Sequence, residues 1–84
     1  MPRFFFDVRE GCSFIPDENG LELADIAAAE REAAEAAAEI GRDKLPKGDL
    51  RTIVVEVRNE HGQRVVTATA SLLVERVDPP PQRR

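Results

Sequence analysis

The sequence predicts a two-layer α+β domain: one long Ala-rich helix on one face of a mostly antiparallel four-stranded sheet, in the order ββαββ. Three observations predict it. Apolar and polar residues alternate at Arg3–Arg9, and again at Thr52–Arg58 and Val65–Val77, which is the period of a half-buried strand. Between these segments, residues 24–38 hold nine alanines, the strongest helix former. A single helix can cover only one face of a sheet, which makes two layers. The chain has 84 residues and a net charge of −4, enough for one domain with a thin core.

In the first segment Phe4, Phe6 and Val8 share one face, and Arg3, Phe5, Asp7 and Arg9 share the other. Glu10-Gly11 reads as a tight turn and Cys12–Ile15 as a short strand returning beside the first. Pro16-Asp17-Glu18-Asn19-Gly20 is a turn, with Gly20 or Asn19 at positive φ. Leu21 and Leu23 lead into the helix. Asp25 stands at its start, where a carboxylate complements the free N–H groups and the dipole. Ile26, Ala29, Ala33, Ala37 and Ile40 fall on one helical face, and Pro46 ends the helix near Lys44. After a loop, Thr52–Arg58 points Ile53, Val55 and Val57 inward. Asn59–Gln63 is a hairpin turn with Gly62 in the left-handed region. The last strand runs to Val77, with Val66, Ala68, Ala70, Leu72 and Val74 on one face. The single α+β domain therefore spans residues 1–77. Residues 78–84, with three successive prolines, form a disordered Pro-rich tail.

That last strand poses a problem. Val65–Val74 is ten residues without a charge, and a free edge of this kind recruits other chains. Arg51, Glu56 and Arg58 make the preceding strand look better suited to an edge. Either the last strand lies inside the sheet, between the first and third strands, or it is an edge paired with its own copy across a two-fold axis. Its length, well beyond that of its hairpin partner, favours a homodimer formed through strand 65–77 or through the open sheet face. The candidate interface residues are Phe5, Val54, Thr67, Thr69, Ser71 and Leu73.

Chemistry is sparsely represented. One Cys and one His allow neither an internal disulfide nor a zinc site of soft donors. Cys12 and His61 occupy different turns, and an activated thiol needs a base close by. Neither Ser13 nor Ser71 sits in a nucleophile-elbow pattern with His61. Asp17–Gly20 looks like a fragment of a calcium loop, but the twelfth position from Asp17 is Ala28, where the closing Glu is required. Glu32, Glu35, Glu39 and Asp43 form an acidic helix edge, best read as solvated although a basic partner could dock there. Phe5 between Arg residues on the open face suggests an RNA platform, yet one aromatic among mixed charges is too little, and nucleic acid is not an expected partner. No catalytic, cofactor-binding or metal residue is assigned, and no enzyme is expected. The run Phe4-Phe5-Phe6 is broken at once by Asp7, Arg9 and Glu10, and no segment approaches the roughly 20 apolar residues that span a bilayer. No membrane association is expected. The free thiol fits a reducing cytoplasm.

The opening Pro2-Arg3-Phe4-Phe5-Phe6-Asp7-Val8-Arg9 precedes Pro16-Asp17-Glu18-Asn19-Gly20-Leu21-Glu22-Leu23, and Asp25 then starts an Ala-rich helix. With Val55-Glu56-Val57-Arg58 and Gly62, these residues resemble the small bacterial family called domain of unknown function 6894, of rhizobial type. The resemblance covers most of residues 2–77. The chain departs from the pattern at Ala24, where Pro is expected, and at Asp7, where His is frequent. The resemblance implies a bacterial cytoplasmic protein and supplies no activity, cofactor or catalytic residue. The strand–turn–helix opening is also similar to the antitoxin halves of HicAB-type pairs, which implies an alternative: an antitoxin-like regulatory protein that binds a partner protein. The leading expectation is a non-enzymatic protein-interaction module, self-associating, with room for an unidentified protein partner.

Overall fold

The computed structural model describes residues 1–81 of the chain. The elements follow in the order β1 (Arg3–Glu10), β2 (Ser13–Ile15), β3 (Leu21–Glu22), α1 (Ile26–Lys44), a 3-10 turn (Leu45–Lys47), β4 (Thr52–Arg58) and β5 (Arg64–Ser71). All pairings are antiparallel, the sheet order is β2-β1-β4-β5, and β3 also pairs with β1. The fold is α+β, one helix against a sheet of five strands. It has one strand more than the sequence suggests, because Leu21–Glu22 pairs with Arg3–Phe4 before the helix begins.

The helix starts where its cap requires. Asp25 is extended (φ −161°), and its side chain accepts a hydrogen bond from the Ala28 N–H at 2.9 Å. Arg42 and Lys44 lie in the last turn, where positive charge meets the free carbonyls. The buried face is Ala29, Ala33, Ala37 and Gly41, a strict four-residue spacing of the smallest side chains. These lie over Val55 and Val57 of β4 and Phe4 of β1, with Phe6, Val8, Val66, Ala68 and Ala70 around them. A Cβ on Gly41 would stand 3.2 Å from the Ala70 Cβ, so the helix approaches β5 as closely as backbone allows. Ile26, expected on the buried face, is 52% exposed, because it lies in the first turn beyond the end of that stripe.

The structure decides between the two placements of the last strand and corrects its length. That strand is an edge: β4 takes the internal place between β1 and β5. The inward residues Ile53, Val55 and Val57 of β4 are fully buried, and its charged Glu56 is buried too, so its charges did not mark an edge. β5 also ends at Ser71 rather than Val77, and Leu72–Pro81 forms an exposed arm without regular structure. Its partner β4 begins at Thr52, opposite Ser71, and beyond that pair there is nothing to continue the ladder. Of the expected Pro-rich tail 78–84, residues 82–84 lie outside the described residues.

Candidate functional site

The two edges of the sheet are finished differently. On the outer side of β1 the chain closes its own edge in three steps. β3 pairs with Arg3 and Phe4, the Asp17 carboxylate accepts the Phe6 N–H at 3.0 Å, and β2 pairs with Val8, Arg9 and Glu10. What remains outermost there is β2, three residues long, and β3, two residues long. Strands so short are poor templates for another chain. At the opposite side β5 presents eight residues, and after Arg64 none of them is charged. Its outward N–H and C=O groups face no strand among the described residues.

Asp17 is the pivot of the closed edge. One carboxylate oxygen takes the Phe6 N–H, and the other takes the N–H groups of Asn19 and Gly20, both at 3.1 Å. This turn needs Gly20 at φ +71°, where a Cβ would come within 2.8 Å of the Arg3 side chain and 3.0 Å of the Phe4 carbonyl. The Asp17 N–H in turn donates to Asp7, and Arg58 binds Asp7 through two nitrogens at 2.6 and 3.1 Å while also reaching the Asp17 carbonyl. Asp7 stands opposite Glu56 across the β1–β4 ladder, a like-charge pair that is unfavourable alone. Arg58 neutralises the first, and Arg9 and Arg64 flank the second at 3.5 and 3.0 Å. The face expected to be open therefore buries Asp7 and Glu56. It carries two aromatics rather than the one expected, because Phe14 of β2 stands beside Arg9; the Arg58 guanidinium lies 5.0 Å from the Phe5 ring centre and that of Arg9 4.7 Å from the Phe14 ring centre, so one face of each ring is taken.

These contacts set the titration of the two acids. Asp7 is held below its ordinary 3.8, chiefly by the hydrogen bond from Arg58, against the opposing effect of burial. Burial pushes Asp17 up, but the N–H groups of Phe6, Gly20 and Asn19 together outweigh it, and the net shift is downward. Arg58 is pushed up by the same ion pair.

Five of the six candidate interface residues stand on the sheet face away from the helix: Val54 is opposite Thr69, Thr67 and Ser71 lie two residues to either side of Thr69 on β5, and Phe5 lies on β1. Thr67 and Thr69 are exposed on β5 and Ser71 ends it. Phe5 and Val54 are half-buried on that same face, and Leu73 is 80% exposed on the arm beyond the strand. The sequence missed Asp17 as the residue that closes the opposite edge. Its signal was present, since an Asp followed by Asn-Gly two and three residues on is the pattern of a side-chain-capped turn. The arm and two shallow hollows were also missed. One hollow, of about 640 Å³, lies at the start of the helix against Phe4, Ile26, Ala27 and Val65, and another at the far end is shared by Leu45, Pro46 and Leu72.

The residues with nucleophilic or basic chemistry are kept apart. Phe5 stands opposite Arg58 and Glu10 opposite Ile53, so the His61 turn lies beyond one end of β1 and the Cys12 turn beyond the other. Ser71, opposite Thr52, is also remote from His61. Cys12 is exposed and unpaired. Among the described residues no group of three or more His, Cys, Asp or Glu is placed to hold a metal ion, and no helix is long and apolar enough to cross a membrane.

What fold and site define together is a small α+β protein with one sheet edge sealed by its own chain and the other left bare. The chain belongs to a family whose model, described as Domain of unknown function (DUF6894), matches residues 3–71, from the first residue of β1 to the last of β5. A search of the curated proteins found no match, and neither did a search of the solved structures.

Proposed function

We propose that this protein is a non-enzymatic interaction module that associates with a second copy of itself through the edge of β5. The observation that carries the reading is the contrast between edges: three devices close β1, and among the described residues none closes Val66–Ser71. The symmetry is restrictive. Two antiparallel neighbouring strands related by a two-fold axis require that axis to be normal to the sheet. Both helices then lie on the same side, and helix-facing residues meet helix-facing residues. Centring the axis on Ala68 pairs Val66–Ala70 of the two copies, with Val66 opposite Ala70 and Thr67 opposite Thr69, and sets Ser71 beside the irregularity at Val65. The result is one continuous sheet through both protomers, a β-augmentation in which main-chain hydrogen bonds supply affinity. The exposed thiol of Cys12 supports assignment to a reducing compartment such as the bacterial cytoplasm.

Thr67 and Thr69 are both exposed, so they carry the test without disturbing the core. Changing both to Lys sets like charges opposite each other across the axis. Sedimentation equilibrium, read by interference optics because the chain has no Trp or Tyr, is expected to give a dimer for the wild type. The Thr67→Lys/Thr69→Lys chain is expected to be a folded monomer with an unchanged circular-dichroism spectrum. A wild type that stays monomeric at millimolar concentration, or a Lys variant that dimerises equally well, overturns the reading.

A further inference from the structure

We propose that the exposed arm after β5 of one copy docks in the hollow at the start of the partner's helix, so that each protomer clasps the other; this rests on the β5-edge pairing above. The arm carries apolar side chains that its own domain leaves in solvent: Leu73 and Val74 are each 80% exposed and Val77 is 81% exposed. Its reach shows in the molecular dimensions. The described chain is 69 Å long with a radius of gyration of 17.4 Å, against about 12 Å for a compact chain of this length. The helix and sheet account for roughly 30 Å of that length, and the arm extends the rest.

At the other end of β5 the chain leaves an apolar recess uncovered. Phe4, Ile26, Ala27 and Val65 line it, and Ile26 stands 52% exposed at its mouth. Within one chain Leu73 and Val74 cannot reach this recess, because they follow Ser71 by only two and three residues, roughly 10 Å of chain, and the whole of β5, roughly 26 Å, lies between. The two-fold axis removes that separation. With Ala68 on the axis, Ser71 of the partner lies beside Val65, the β5 residue that lines the recess, and the partner's Leu72 is the first residue past it. The ladder stops there on both sides, since β5 begins at Arg64 and the Asn59–Gln63 turn precedes it. The arm is then free to bend toward the helix, taking Leu73 and Val74 onto Ile26. The pairing is isologous, so two arms fill two recesses and no apolar end is left to propagate a fibre.

Two measurements on the full chain test this. In a Cys12→Ser background, Ile26→Cys chains are mixed with Val74→Cys chains under mild oxidation, and tryptic peptides are read by mass spectrometry. The expected product is a disulfide joining positions 26 and 74, which can form only between copies. Leu73→Ser/Val74→Ser, two changes at exposed positions, is expected to weaken the dimer by about tenfold, the loss that goes with withdrawing two partly buried apolar side chains. Helical circular dichroism should not change. A dimer whose dissociation constant is unaffected by these changes, with no 26–74 disulfide, overturns the arm's docking and leaves β5 pairing standing. A wild-type chain that is monomeric throughout overturns both.

Discussion

Asp17 and Asp7 hold one side of the molecule together with very few atoms. Asp17 replaces a strand: its carboxylate accepts the Phe6 N–H that neither β2 nor β3 reaches. Asp7, whose side chain is only 4% exposed, takes both the Arg58 guanidinium and the Asp17 N–H. Both carboxyls titrate below the ordinary 3.8 in the folded chain. A depressed folded pKa contributes stability that is complete above the unfolded value and is lost as pH falls through the folded one. The melting temperature should therefore decline as pH drops below about 4, with a shallower acid slope in Asp17→Asn and Asp7→Asn, measured by thermal circular dichroism from pH 7 to 2. Asp7→Ala at neutral pH should cost about 1–2 kcal/mol, since it leaves the half-buried Asp17 N–H and Arg58 guanidinium without their acceptor.

At the scale of elements, the helix and β5 are matched through small residues. Ala29, Ala33, Ala37 and Gly41 let α1 settle onto β4 and β5 with little volume between them. Ala33 is completely buried, so Ala33→Leu has no space to enter and should destabilise by about 1–3 kcal/mol, read as a shifted midpoint in urea. The same smallness explains β5 itself. Ala68 and Ala70 face the helix and Thr67 and Thr69 face away, so no bulky group crowds the seam that a second β5 would occupy. From Val66 to Ser71 the edge is made of Val, Thr, Ala and Ser without a Lys, a Pro or a bulge, and the register shift against β4 falls at Val65, at the start of the strand.

For the molecule as a whole, the core is small: Ile53, Val55 and Val57 are the largest side chains that are fully buried. A chain with so little apolar interior gains proportionally from association, which adds sheet hydrogen bonds and covers apolar residues now in solvent. If stability is shared between folding and dimerisation, the melting temperature must rise with protein concentration. A hundredfold dilution is expected to lower it measurably in the wild type and to have no effect in Thr67→Lys/Thr69→Lys, which differential scanning calorimetry reads directly.

The sequence by itself determined every element whose signal is local. Nine alanines with Asp25 before them and Pro46 after them specify the helix to within a residue, because propensity, cap and breaker all act over short range. Alternation specified which residues of β1 and β4 face the helix, because side chains along a strand change sides at each step. The turns at Gly20 and Gly62 followed from the need for positive φ. Strand order was different in kind. Charge on one strand and its absence on another suggested the wrong edge, since the sequence does not tell that Glu56 would be flanked by Arg9, on a strand 47 residues away, and by Arg64. That arrangement makes a charged strand tolerable inside the sheet and leaves the uncharged one outside. Nor could a local pattern tell that Asp17 would stand in for a missing strand on β1, or that the strand ending at Ser71 would run out of partner where β4 begins. Only the tertiary structure decided which edge is bare, because an edge is defined by what the rest of the chain fails to reach.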